Sequence, residues 1–133
     1  MSGVTFRAHS PVLLVHDVVK AHAYYTEQLG FSGARMFGDP PTFCIVRRDE
    51  LELMLNQVGA GDSFRPNGDY DGRADAYFWV SDADALHAEF QAAGAKIVCE
   101  PEDQPYGMRD LQVTDPDGHL LIFGHDISGT IER

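Results

Sequence analysis

The chain has 133 residues, 44% of them hydrophobic and 23% charged, and its 21 acids against 10 bases leave a formal net charge of −11. That length suits one domain with its own core. The acid excess argues against nucleic acid as a partner, whose phosphates need a basic footprint, and it favours cationic ligands through steering.

The opening stretch, MSGVTFRAHSPV, lacks the apolar core of a secretory signal. No apolar run approaches the roughly 20 residues of a membrane span. The two cysteines, Cys44 and Cys99, each sit in an apolar strand-like run. They read as reduced, buried thiols, and the expected setting is cytoplasmic.

In chain order, PVLLV reads as a strand and the stretch near 18–29 as a helix, followed by three strands in GARMF, TFCIVRR and LELMLNQ. The order then repeats: AYFWV is a strand, the stretch near 83–93 a helix, and AKIVCE, RDLQVTD and HLLIFGH are strands. The repeat is visible in the residues themselves. VHDVVKAHAYY aligns with VSDADALHAEF at a constant offset of 65, matching Val15 to Val80, Asp17 to Asp82 and His22 to His87. Asp17 and Asp82 stand where a side chain should cap each helix, and each helix runs into a glycine suited to a left-handed cap.

The first module therefore spans about 8–58 and the second about 74–126, with a Gly/Asp/Pro-rich linker at about 59–73. Each module is a βαβββ unit whose sheet needs a cover, so two must pair, within one chain or between chains. The fold class is α+β.

Alternation divides the strands into faces. Leu51, Leu53 and Leu55 share one face of their strand; Glu52, Met54 and Asn56 share the other. Ala76, Phe78 and Val80 share one face of theirs, with Asp75, Tyr77 and Trp79 opposite. The second face of each module is mixed polar and aromatic, a composition suited to a ligand cavity. DPDG at 115–118 places Asp, Pro and Gly where a type I turn wants them, joining LQVT to LLIF. His119 and His125 flank the strand that follows.

A doubled βαβββ unit with an early V-x-D…YY-x-x-x-LGF and a late DPDG-x-L-L-x-F resembles the vicinal oxygen chelate superfamily of glyoxalases, extradiol dioxygenases and bleomycin-resistance proteins. The resemblance covers roughly residues 8–126. It implies a cupped, partly open barrel-like sheet with the helices on its convex side. QPYGMRDLQVTDPDGHLLIF looks most like the antibiotic-binding branch, with Tyr106 where that branch carries Trp.

In catalytic members, four cavity positions hold a divalent metal through His and Glu side chains. Carried onto this chain, they fall on Ser10, Glu52, Asp75 and Ile122. Only the two carboxylates are metal ligands. A pair of them would hold Mg²⁺ or Ca²⁺ weakly, with several waters, whereas a catalytic site needs about three protein ligands.

The resemblance thus implies a small-molecule binding protein that sequesters a planar, cationic ligand in a cleft at a homodimer interface. The alternative is a metal-dependent lyase, isomerase or dioxygenase with an atypical ligand set. The candidate ligand-binding residues are Glu52, Met54, Asn56, Asp75, Tyr77, Trp79, Tyr106 and Arg109, with no catalytic or metal residue assigned. Several have plainer readings beside this one. Glu52 also reads as an exposed or paired carboxylate, Asp75 as a strand-start residue, Tyr77 and Trp79 as core, and Arg109 as the partner of a local acid such as Asp110. His22 and His87 match because the module is duplicated, and packing explains them better than a shared site.

Overall fold

A computed structural model describes residues 3–129. The elements follow the repeat: β1 (Val12–Val15), α1 (Val18–Glu27), β2 (Ser32–Gly38), β3 (Pro41–Arg48) and β4 (Leu51–Gln57), then β5 (Ala76–Trp79), α2 (Ala83–Ala93), β6 (Lys96–Asp103), β7 (Met108–Thr114) and β8 (Leu120–Asp126). The linker holds one short 3-10 turn, Asn67–Asp69.

Both helices start as their sequences dictate. The Asp17 carboxylate accepts from Val19 and Lys20 N–H, and Asp82 accepts from Ala85 N–H. Gly94 closes α2 with φ 80°, a left-handed conformation that glycine enters without a side-chain clash.

Each module forms its own mixed four-stranded sheet, ordered β1-β4-β3-β2 and β5-β8-β7-β6, with the first pair in each parallel. Among the described residues no ladder joins the two sheets, so the barrel is not closed. The α+β class and the doubled βαβββ order are as expected from the sequence.

The core is one contiguous cluster fed by both modules. Leu53 and Leu55 of β4, Phe78 of β5, and Leu121 and Phe123 of β8 point into it beside Tyr25 and Phe90 of the helices. Burying such side chains contributes about 1.5–3 kcal/mol each, so the period-2 alternation decides which face of every strand turns inward. Cys44 is buried with its thiol pushed up to about 11 by burial. Cys99 departs from expectation: it lies exposed on β6, the edge strand of its sheet.

Among the described residues, no helix is long and apolar enough to cross a membrane.

Candidate functional site

The face of each sheet turned away from the core is open. In the first module it carries Glu52, Met54 and Asn56 from β4. The register sets Met54 beside Val12 and Ile45, and Asn56 beside Leu14 and Phe43. Phe43 packs on Phe37, with ring centroids 5.7 Å apart, and the Arg35 guanidinium lies over Phe37 at 5.2 Å. Glu52 is ion-paired across the strands to Arg47 at 2.7 Å.

The second module holds a tighter constellation. Tyr77 and Trp79 project from β5 on the side opposite buried Phe78, with ring centroids 5.3 Å apart. Beneath them lies Asp110 of β7, only 2% exposed. Its Oδ2 accepts hydrogen bonds from the Tyr77 hydroxyl at 3.1 Å and the Tyr106 hydroxyl at 2.6 Å.

Burial, the hydrogen bond to Asp110 and that residue's charge push the Tyr106 phenol up to about 12. Tyr106 therefore keeps its proton and remains a donor at neutral pH. Gly124 makes the arrangement possible. It pairs with Trp79 on one side and Asp110 on the other, and a Cβ there would run into the Tyr77 hydroxyl. The result is a buried carboxylate under an aromatic rim, with Trp79 still 47% exposed. Such a rim offers stacking and cation–π attraction.

Two residues singled out from sequence do not join this cluster. Arg109 shares the core-side face of β7 with Leu111 and Val113, opposite Asp110. Its guanidinium is tied to Asp84 of α2 and to Asp103 of β6, both at 3.0 Å, and it helps hold the Asp84 carboxyl below its usual pKa.

Asp75 is 7% exposed at the side chain, and its carboxylate is consumed by the backbone. It accepts from Asn67 N–H at 2.8 Å, Gly68 N–H at 3.2 Å and Leu120 N–H at 2.8 Å. Burial alone would raise its pKa, but these bonds and nearby His119 lower it.

Asp110 is the residue that sequence reasoning passed over, having read it only as a local partner for Arg109. The signal was present in MRDLQV, where Leu111 and Val113 mark the core face and leave Asp110 on the other.

The four positions that correspond to metal ligands in catalytic relatives do not form a metal site. Ser10 donates its hydroxyl to the Glu52 and Pro11 carbonyls, Glu52 is paired with Arg47, Asp75 is saturated by amides, and Ile122 has no donor atom. Among the described residues no group of three or more His, Cys, Asp and Glu side chains is placed to hold a metal. Three of the histidines have other partners: His22 Nε2 meets Gly33 O at 2.8 Å, His119 Nε2 meets Leu14 O at 2.6 Å, and His125 Nδ1 accepts from Ala83 N–H at 2.8 Å.

Paired βαβββ modules with open, mixed aromatic and polar faces define a class of small α+β proteins. The chain matches one such family, described as the Glyoxalase/Bleomycin resistance protein/Dioxygenase superfamily, over residues 7–123, and it belongs to that superfamily.

Among solved structures, it resembles the bleomycin-binding protein from bleomycin-producing Streptomyces verticillus, complexed with copper(II)-bleomycin. Identity is 29% and the TM-score 0.68, covering 90% of this chain and 96% of that one. It also shares the fold of TioX from Micromonospora sp. ML1, at 23% identity and TM-score 0.72 over 91% and 99% of the two chains. A glyoxalase-related enzyme from Clostridium phytofermentans shares it too, at 22% and 0.76 over 96% and 100%. No curated protein matches significantly.

Proposed function

We propose that this protein binds a planar, cationic small molecule and sequesters it without making or breaking a bond. It does so in the cytoplasm, as a homodimer. The observation that carries the reading is the buried Asp110 carboxylate held by Tyr77 and Tyr106 beneath the exposed Trp79 ring. A cation stacked on Trp79 would gain both the ring's negative face and the carboxylate's charge.

The 29% identity to a bleomycin-binding protein supports the same reading, as does the net charge of −11. The opposite wall of the cleft would come from the first-module face of a second copy, where Glu52, Met54 and Asn56 lie. Metal-assisted chemistry at the four family positions is not supported, because the side chains present there do not make a ligand set.

Trp79 is the chain's only tryptophan, so its fluorescence reports a ligand at its ring, and the Asp110 variant assigns that ligand to the cluster. Ethidium, a planar cation, and metal-free bleomycin are the probes. At least one should quench Trp79 saturably at micromolar concentration. Asp110→Asn should weaken that binding about tenfold, near 1.4 kcal/mol, and Glu52→Gln should weaken it more at low salt than at high salt. No saturable quenching by either probe would overturn the reading.

A further inference from the structure

A concavity lies outside the cluster just described, in the seam between the modules. Its volume is about 560 Å³, within the range of small-molecule sites. One wall is the β3–β4 turn, Arg48 to Leu51; the other is the end of β5 and the first turns of α2. Phe31, Phe90 and Phe123 form an apolar floor, each no more than 5% exposed. Leu51 and Trp79 are lips at 38% and 47% exposed.

The rim is acidic. Asp49, Glu50, Asp82 and Glu89 border the groove, and Arg48 is the only cation among the described residues that line it. Arg48 is not available to an anion: both its terminal nitrogens bind Glu89, at 2.7 and 2.9 Å, and Nη1 also donates to Leu29 O. Asp82 caps α2. Among the described residues, Asp49 and Glu50 form no ion pair; Asp49 acts on the nearby Arg48 charge through space, and Glu50 adds a further negative charge at the groove mouth.

An apolar floor with unbalanced carboxylates at the lip is complementary to a molecule with an apolar body and one positive charge. The body desolvates against the phenyl rings, and the charge stays at the half-solvated rim where the acids attract it.

We propose that this inter-module groove is a ligand site for amphiphilic organic cations, separate from the Asp110 cluster. Trp79 borders the groove and also packs in the Asp110 cluster, so its fluorescence does not discriminate between the two. Amide signals in NMR spectra of the full chain do.

The probe is tetraphenylphosphonium, which is bulky rather than planar, and its control is tetraphenylborate, of the same shape and opposite charge. The phosphonium should shift Leu51, Ala85 and Leu86 saturably below about 1 mM, and the borate should not. The double variant Asp49→Asn/Glu50→Lys should weaken phosphonium binding at least about fivefold at low salt. Asparagine suits position 49, whose φ is 51°. Ala85→Arg, at an exposed helical position lining the groove, should block binding, while Asp110→Asn should leave it unchanged.

Equal binding of the borate, no binding at all, or loss in Asp110→Asn with shifts confined to Tyr106 and Ile122 would each overturn the proposal. So would conversion of a dimer to a monomer by Ala85→Arg, since a second copy would then fill the groove. Failure of ethidium to bind at the Asp110 cluster would leave these outcomes unaffected.

Discussion

Asp110 owes its place to a missing side chain. A carboxylate in a sheet is costly to bury unless donors surround it, and here the donors are two tyrosine hydroxyls, one from β5 and one from the loop before β7. Tyr77 reaches across only because Gly124 leaves the intervening row empty. A Cβ at Gly124 would also sit 2.8 Å from Asp110 Cβ, inside van der Waals contact. Gly124→Ala should therefore displace the Tyr77 ring and leave Asp110 with one donor, destabilising the fold by about 1–3 kcal/mol. Urea denaturation measures the loss, and a shift in Trp79 emission reports the ring's movement. An unchanged midpoint would mean that Tyr77 has other room. The alternation in MRDLQV already put Asp110 on the open face. That Gly124 would admit a tyrosine from another strand depends on a pairing between β5 and β8 separated by 45 residues, which no local pattern encodes.

At the scale of elements, the turn that joins β7 to β8 does more than reverse the chain. The Asp115 carboxylate accepts from Asp117 and His119 N–H, both at 2.9 Å, and from the buried Tyr25 hydroxyl of α1 at 2.7 Å. His119 then bridges the modules. Its Nε2 reaches Leu14 O of β1, its Nδ1 lies 3.2 Å from Asp75 Oδ1, and Phe64 of the linker stacks between it and His16. His16 is tied in turn to Asp117 at 2.8 Å.

Burial of His119 disfavours its charge, but the Leu14 carbonyl and the Asp115 and Asp75 carboxylates outweigh it and raise its pKa. A raised histidine pKa stabilises the fold fully below its unfolded value, about 6.5, and that stability is lost as pH rises through the folded value. The gap in denaturation midpoint between wild type and His119→Gln should thus be wider at about pH 6 than at about pH 9. An equal gap at both would show that His119 does not carry charge in the folded protein. Asp75 acts in the other direction: its lowered pKa adds stability above the ordinary carboxylate range that is lost on acidification.

For the whole molecule, the consequence is two sheets with one shared core and two uncovered faces. Val12 and Leu14 on the first-module face are 53% and 40% exposed, and Phe37 is 40% exposed. Such apolar faces seek a partner, which is the physical case for the homodimer proposed above. Native mass measurement should give twice the 14.7 kDa of the chain. Leu14→Lys should shift it to the monomer and abolish Trp79 quenching together, while the His119 bridge survives because it uses the Leu14 carbonyl. A monomeric wild type would remove the composite cleft.

By itself the sequence determined the local order of the molecule. The offset repeat, the capping aspartates and the alternating strands were enough for the α+β class, the two βαβββ modules and the faces of β4 and β5, because those features are set by residues a few positions apart. DPDG was legible as a turn for the same reason.

Tertiary structure decided what each polar side chain does. Asp75 and Glu52 look alike in sequence, as carboxylates beside apolar runs. One is spent on linker and β8 amides, the other on a cross-strand arginine. Arg109 and Asp110 are neighbours in the chain yet serve opposite faces of the same strand. Each has one partner near in sequence, Asp103 and Tyr106, and one from an element 25 or more residues away, Asp84 and Tyr77, since a buried charge settles only where the fold supplies its counter-groups.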